Sequence, residues 1–235
     1  MILYIKFKRS HTVKIIAHIY TDFTEKFGIP RQSGLVDEAL GKIVFEPEYR
    51  NPDALRGIEK YSHLWIIWQF SESILDSWHA TVRPPRLGGN TSVGVFASRS
   101  PMRPNPIGLS SVRLVDVIKT ESDGTILIVS GADMLNGTPI YDIKPYLSFT
   151  DSHPDAIDGF AGDVFERKLT VIDNGMLYDI EPKTARIIKE LLSQDPRPQY
   201  KNDPERIYGM AYGKYNVKFK VEGERLYITE VEGNG

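Results

Sequence analysis

Short β-strand patterns fill the first 150 residues of this 235-residue chain, with few helical segments between them. β-branched and aromatic residues mark the predicted strands, which lie at 13–20, 41–46, 63–70, 93–97, 110–118 and 124–135. One short helix is predicted over 51–62, with Asn51 as a possible N-cap. A doubly wound parallel sheet needs a helix between successive strands, and the sequence does not show this alternation of strands and helices. The pattern therefore favours a mainly β fold with a curled, barrel-like antiparallel sheet.

The last 70 or so residues have a different pattern of predicted secondary structure. Residues 150–163 are polar and contain Pro and Gly, which is typical of a linker. An amphipathic helix is predicted over 181–195 and a β-hairpin over 216–232. The apolar stripe of the helix consists of Ile187, Ile188, Leu191 and Leu192. We therefore predict a barrel-like domain over 1–162 and a small α+β domain over 163–235.

The composition sets broad limits on function. Hydrophobic residues make up 41% of the chain, charged residues 26%, and the net charge is −2. That balance does not steer the whole protein towards a polyanion or an acidic membrane. The chain has no cysteine, which excludes disulfides, cysteine nucleophiles and thiolate metal sites and suits a cytoplasmic location. No apolar run approaches 18 residues, so no membrane-spanning helix is expected.

The common catalytic motifs are missing from the sequence. There is no G-x-S-x-G, P-loop or H-E-x-x-H motif, and no G-x-G-x-x-G follows a predicted strand. A Rossmann-type cofactor site is therefore not expected. The five histidines are scattered and form no i, i+4 pair, so we expect no metal site. They are His11, His18, His63, His79 and His153.

One segment stands out by its charge and its rigidity. From Ser77 to Val115 the chain has no Asp, Glu or Lys. It has five arginines, which are Arg83, Arg86, Arg99, Arg103 and Arg113. It also has five prolines, which are Pro84, Pro85, Pro101, Pro104 and Pro106. Guanidinium forks on a stiff backbone match carboxylates or phosphates, so the segment is a candidate contact surface for an anion or for RNA.

The residue types alone support a purely structural role for these arginines as well as they support a contact surface. The arginines would then pair with acids elsewhere in the chain, such as Asp133, Asp142 or Asp151. Two further loops, at 195–200 and 203–209, combine mixed charge with proline and tyrosine and are predicted to be rigid. The spacing of the residues does not reveal a reaction.

Several stretches, taken in order, resemble the TsaA-like family, whose tRNA-modifying members are called TrmO. Between about residue 13 and residue 160 they are KFGIPRQSGLV, YSHLWIIWQF, VRPPRLGGN, GVFASRSPMRPNPIGLS and NGTPIYDIKPY. LLSQDPRPQY and RIYG resemble the C-terminal module of the same family. The resemblance thus covers nearly the whole chain, and five motifs in the right order are a specific signal.

The resemblance implies a methyltransferase that uses S-adenosylmethionine and is built on a β-barrel. It implies a homodimer that acts on tRNA carrying N6-threonylcarbamoyladenosine at position 37 and methylates the same N6. Because the cofactor carries the difficult chemistry, such an enzyme needs no strong nucleophile. Two alternatives remain: a non-catalytic RNA- or nucleotide-binding module, and a methyltransferase of the same fold with another substrate.

The resemblance also implies site residues, although it assigns no catalytic residue. The cofactor would contact Pro30, Arg31, Gln32, Ser71, Glu72, Arg99, Leu109, Asp133, Met134, Leu135 and Asn136. The substrate would contact Arg83, Arg86, Arg103 and Asn105 from the barrel-like domain and Asp195 and Arg197 from the C-terminal tRNA-recognition module. Two positions depart from the family pattern, because Ser71 replaces a frequent histidine and Asn136 replaces the usual aspartate.

Overall fold

The computed structural model describes residues 13–73, 78–84, 87, 91–162, 168–197 and 203–233. Six antiparallel strands form a closed barrel, and they are β1 (Ala17–Thr21), β2 (Leu40–Phe45), β3 (His63–Gln69), β6 (Ile107–Thr120), β7 (Gly124–Ser130) and β8 (Thr138–Pro145). Their order around the barrel is β1-β2-β7-β6-β3-β8. The prediction of a mainly β, barrel-like fold is confirmed.

Alternation along the strands places the barrel core. In β3, Leu64, Ile66 and Trp68 point inward and are almost fully buried, while the residues between them are half-exposed. Trp68 pairs in register with Gly108 of β6. A Cβ atom at position 108 would lie 2.2 Å from the Trp68 ring, so only glycine leaves space for the indole. The absence of a side chain at position 108 therefore makes room for the Trp68 ring.

Three predictions for the first 150 residues are corrected. The helix over 51–62 is two short 3₁₀ turns, Pro52–Leu55 and Ile58–Lys60, because Gly57 between them adopts φ +90°. The strand over 93–97 is β5 (Val93–Gly94), which pairs with β4 (Thr81–Val82) and leads into a 3₁₀ turn.

The predicted strand over 124–135 also ends early, at Ser130. Gly131 follows with φ +74°, a left-handed conformation that breaks the strand and turns the chain inward. A short helix, α1 (Ser148–Asp151), follows β8 at the start of the predicted linker.

Within residues 168–197 and 203–233, the C-terminal part forms a four-stranded sheet and one helix. The helix α2 (Pro182–Ser193) begins after Glu181, whose side chain accepts hydrogen bonds from the backbone N–H groups of Lys183 and Thr184. Its predicted apolar stripe is buried, which confirms that prediction. The sheet order is β10-β11-β12-β9, and its strands are β9 (Thr170–Ile172), β10 (Tyr208–Tyr212), β11 (Tyr215–Glu222) and β12 (Arg225–Gly233).

The sequence analysis did not predict β9 or β10. Tyr208–Tyr212 begins inside the segment predicted to be a rigid loop, and it alternates buried and exposed residues against β11. β9 has only three residues, and it is held in place by parallel pairing with β12 from the end of the chain.

The segment between β1 and β2 belongs to the core of the C-terminal sheet. Phe23, Val36 and Ala39 are buried in that core, whereas β1 and β2 on either side of them line the barrel. The Phe27 ring stacks on Tyr208 with centroids 6.4 Å apart and an interplanar angle of 4°. The apolar side chains of residues 23–39 therefore pack against the C-terminal sheet, while backbone hydrogen bonds join the segment to the loop after β7. The boundary between 162 and 163 stays a prediction.

Candidate functional site

A buried hydrogen-bond chain ends at the carboxylate of Asp133, just after β7. The Trp68 indole N–H donates to Ser110 Oγ (2.9 Å), and the Ser110 hydroxyl donates to Asp133 Oδ1 (2.6 Å). Ser110 lies on an inward position of β6 and is almost completely buried. The barrel core thus fixes the Oδ1 oxygen of Asp133 at the point where β7 has ended.

The environment of Asp133 raises its pKa to about 6, and burial of the carboxyl is the main cause. The Ser110 hydroxyl, backbone N–H groups including that of Ser33, and the charge of Arg99 act in the opposite direction. The carboxyl is therefore ionised at neutral pH and becomes neutral in mild acid.

Arg99 and Gln32 complete this cluster from two different loops. Arg99 is exposed, its Nη1 donates a hydrogen bond to Gln32 Oε1, and its charge acts on Asp133. The structure thus brings together three predicted cofactor residues that lie far apart in the sequence. A carboxylate beside a guanidinium can hold a small molecule that carries both an ammonium and a carboxylate group.

Asn136 joins the loop after β7 to the end of β1. Its Oδ1 accepts a hydrogen bond from the Thr21 backbone N–H (3.1 Å), and its own backbone N–H donates to the Phe23 carbonyl (2.8 Å). The Thr21 hydroxyl also donates to the Met134 carbonyl (3.0 Å). An amide oxygen accepts this backbone bond as a carboxylate oxygen would, so the Asn136 departure keeps the loop connection.

The remaining residues of this predicted stretch divide between core and surface. Met134 is completely buried and packs in the barrel core, so its contact with a cofactor stays a prediction. Leu135 is half-buried. Leu109 is 57% exposed on the outer face of β6 and pairs in register with Ile67.

Ser71 and Glu72 lie in an exposed 3₁₀ turn directly after β3. The Lys26 ammonium donates to the Glu72 carbonyl (2.6 Å) and lies 3.4 Å from Glu72 Oε2. The Phe70 backbone N–H donates to the Pro106 carbonyl (2.8 Å), which joins this turn to the proline-rich loop. The predicted residues after β3 thus lie beside that loop.

The predicted substrate residues of the barrel-like domain are mostly on its surface. Arg83 and Asn105 are exposed, and Arg103 is half-buried with its Nη1 donating to the Ser98 carbonyl (3.3 Å). Arg86 lies outside the described residues. In the described part of the chain, Asp142 pairs with Lys144 and Asp151 accepts from Trp65, so neither is an arginine partner.

Arg31 connects the predicted cofactor loop to the predicted tRNA-recognition loop. Its Nη2 donates to the carbonyl oxygens of Asp195 (3.0 Å) and Arg197 (3.4 Å). The preceding residue, Pro30, is buried. The Arg197 guanidinium makes a two-pronged ion pair with Asp195 at 2.8 and 3.0 Å, and both side chains are largely buried. These contacts organise the loop itself, and direct recognition of tRNA by the two residues stays a prediction.

The sequence analysis missed Trp68, Ser110, Ser33 and Lys26. The sequence could have indicated Ser110, because a polar residue at an inward strand position needs a hydrogen-bond partner inside the barrel. The backbone N–H of Ser33 and the position of Lys26 depend on the fold of the loop and leave no such signal. No group of His, Asp or Glu side chains that could hold a metal ion occurs within the described ranges.

Comparison with known proteins identifies the family. The sequence family described as tRNA-methyltransferase O N-terminal domain matches residues 18–152, and the TrmO C-terminal domain matches residues 174–234. The chain belongs to the TrmO family. The two matches together cover both the barrel and the C-terminal sheet, and TrmO structures confirm the mainly β fold.

Several relatives share most of the chain. The tRNA (adenine(37)-N6)-methyltransferase of Escherichia coli strain K12 is 41% identical over 226 residues, which is 92% of this chain and 96% of the relative. The enzyme of the same name from Eikenella corrodens is 44% identical over 73% of this chain and 97% of its own length. A Pseudomonas aeruginosa protein, provisionally named as an S-adenosylmethionine-dependent methyltransferase, is 40% identical over 88% of this chain.

Solved structures agree with the sequence relatives. The crystal structure of TrmO from Pseudomonas aeruginosa superimposes with a TM-score of 0.74 at 32% identity and covers 96% of this chain and 98% of that chain. A second crystal structure of TrmO gives the same TM-score and identity. In the described part of the chain, no helix is long and apolar enough to cross a membrane.

Proposed function

We propose that the protein transfers the methyl group of S-adenosylmethionine to N6 of adenosine 37 in tRNA. Its family, and relatives named as tRNA (adenine(37)-N6)-methyltransferases, support this activity. The cluster of Gln32, Arg99 and Asp133 is the structural observation that carries the proposal. It joins an anion and a cation at one end of a closed barrel, in a sequence that has no G-x-G-x-x-G motif.

The cluster fits the amino-acid end of the proposed cofactor. Asp133 offers a negative charge for an ammonium group, and Arg99 offers two-pronged hydrogen bonding for a carboxylate. S-adenosylmethionine, when bound, supplies an activated methyl group on a sulfonium sulfur. The cluster would hold the amino-acid end of the cofactor still, so that the reacting groups stay in line and water is excluded.

We further propose that the substrate is N6-threonylcarbamoyladenosine. Its threonyl carboxylate adds a negative charge next to the reacting nitrogen, and Arg83, Arg86 and Arg103 lie in a segment without acidic residues. A base in the anticodon loop can be turned outward and bound singly. The arginines would then bind the carboxylate and nearby phosphates.

The division of labour between the two parts extends this proposal. Residues 1–162 would carry the cofactor and the chemistry, and residues 163–235 would recognise tRNA. We also propose that the protein acts as a homodimer in the cytoplasm, as the family resemblance implies.

The test is methylation of tRNA followed by mass spectrometry of its nucleosides. tRNA carrying threonylcarbamoyladenosine should gain one methyl group on that nucleoside, whereas unmodified tRNA should not. Arg99→Ala and Asp133→Asn should reduce the product, and Arg56→Ala, which removes an exposed arginine paired with Asp53 outside the arginine-rich segment, is the control. Methylation of unmodified adenosine would contradict the substrate, and absence of any methylated tRNA would contradict the activity.

A further inference from the structure

We propose that Trp78 and Phe96 form a stacking platform for an unpaired base of the RNA substrate, an inference that rests on the proposed function. The two rings lie side by side with centroids 6.2 Å apart and an interplanar angle of 32°. Phe96 is 71% exposed and Trp78 is 49% exposed. Two large aromatic rings that remain open to water next to each other gain little from folding and are available to a partner.

The local fold holds both rings in place. The ribbon of β4 and β5 connects them, and the Val95 backbone N–H donates to the Ala80 carbonyl (2.9 Å). The Val95 side chain is buried and anchors the 3₁₀ turn that carries Phe96. The platform therefore exists before a ligand arrives, which reduces the entropy lost on binding.

An arginine adds positive charge to the platform. The Arg103 guanidinium carbon lies 6.0 Å from the centre of the Phe96 ring, and its Nη1 bonds to the Ser98 carbonyl. No acidic residue occurs between Ser77 and Val115. Single-stranded nucleic acid offers both a flat base for the rings and a phosphate for the guanidinium. A second copy of the chain could bring carboxylates to the guanidinium, but it has no flat, polar base to place between the rings and that charge.

The experiment measures binding of an anticodon stem-loop RNA to Phe96→Ala, Trp78→Ala and the double variant. Each single substitution should weaken RNA binding by about tenfold, the effect of losing one base–aromatic stack. Titration with S-adenosylmethionine should remain unchanged. Phe149→Ala, which removes an 85% exposed ring on α1, is the matched control and should bind RNA normally.

Tryptophan fluorescence provides a second readout. RNA should quench the emission of the wild-type protein, because Trp78 is the most exposed of the three tryptophans. Trp78→Phe keeps an aromatic ring, so it should retain most of the affinity while losing most of the quenching. Equal RNA affinity in all ring variants would overturn the platform.

Two other outcomes would also contradict the stacking platform. Measurements on the wild-type protein distinguish a failure of the platform from a failure of the proposed function. Weaker cofactor binding by Phe96→Ala would place the rings at the cofactor's nucleoside, and a change in oligomeric mass with unchanged RNA affinity would place them between two copies. A wild type that binds RNA through the rings without methylating it would leave the platform standing and contradict the proposed function. A wild type that binds no RNA would contradict both.

Discussion

The Arg31 guanidinium donates a hydrogen bond to the backbone carbonyl of Asp195, 164 positions further along the chain. The bond joins the two parts of the molecule, because Arg31 precedes Gln32 of the predicted cofactor cluster. Asp195 follows the end of α2 by two residues. Residues predicted to bind two different ligands therefore belong to one connected network. A change in the conformation of the C-terminal loop would therefore displace Arg31, which is adjacent in sequence to Gln32.

We expect Arg31→Ala to lower the free energy of unfolding by about 1–2 kcal/mol, since a partly buried guanidinium loses two carbonyl partners. The melting temperature should fall by about 2–8 °C. Arg186→Ala is the control, because Arg186 pairs with Glu38 across the same two parts of the molecule but in an exposed position. Equal losses in the two variants would contradict a special role for Arg31.

Asp133→Asn should stabilise the protein and weaken cofactor binding. The pKa of Asp133 rises from 3.8 to about 6, so ionisation of the buried carboxyl opposes folding as the pH rises through this window. A shift of about two units corresponds to about 3 kcal/mol, which the variant should recover at pH 7.5. The gain should shrink as the pH falls from 6 to 4, because both states then bind the proton.

Denaturant titrations of both proteins at pH 4 and pH 7.5, with calorimetric titration of S-adenosylmethionine, check this prediction. A stability difference that does not change with pH would contradict the assignment of the buried charge. Unchanged cofactor affinity would remove Asp133 from the cofactor site.

Ser110→Ala should move the pH dependence of cofactor binding to higher pH. The Ser110 hydroxyl donates to the Asp133 carboxylate and lowers its pKa, so its loss should leave Asp133 neutral over a wider range. The measurement is cofactor affinity between pH 5 and pH 8. Ser111→Ala, on the adjacent half-buried position of β6, should leave the midpoint unchanged. Identical profiles for the two variants would show that the hydroxyl does not control the carboxyl.

Phe27→Ala should weaken cofactor binding although Phe27 lies in the core of the C-terminal sheet. Its ring stacks on Tyr208 and Phe219, and truncation should cost about 2–3 kcal/mol because the ring is partly buried. The loop that carries Gln32 then loses its support. Calorimetric titration at a temperature where the variant is folded checks this. Normal affinity would mean that the barrel orders the loop alone.

The strands of the barrel could be predicted because alternation and β-branched residues are local signals. β3 has seven residues that alternate between core and surface, and α2 shows its apolar stripe directly. β9 could not be predicted, because three residues become a strand only by pairing with β12. The helix predicted over 51–62 failed because Gly57 prefers a left-handed turn at its centre.

The sequence analysis named individual residues of the candidate site but did not predict the hydrogen bonds that join them. The structure groups Gln32, Arg99 and Asp133, and their contact with the cofactor stays a prediction. The chain from Trp68 through Ser110 depends on barrel closure, which brings inward positions of different strands together. The pairing of Asp195 with Arg197 also removes two charges that the sequence presents as free.

The placement of residues 23–39 in the second core has a consequence for synthesis. Phe23, Val36 and Ala39 leave the ribosome early, but Val217, Phe219 and Ile228, which share their core, are made nearly 200 residues later. At about 5–20 residues per second, the wait is on the order of 10–40 s. During that time the apolar side chains of this loop lack the strands that bury them in the folded protein. The last strands to be translated are therefore the ones that complete the first loop of the enzyme.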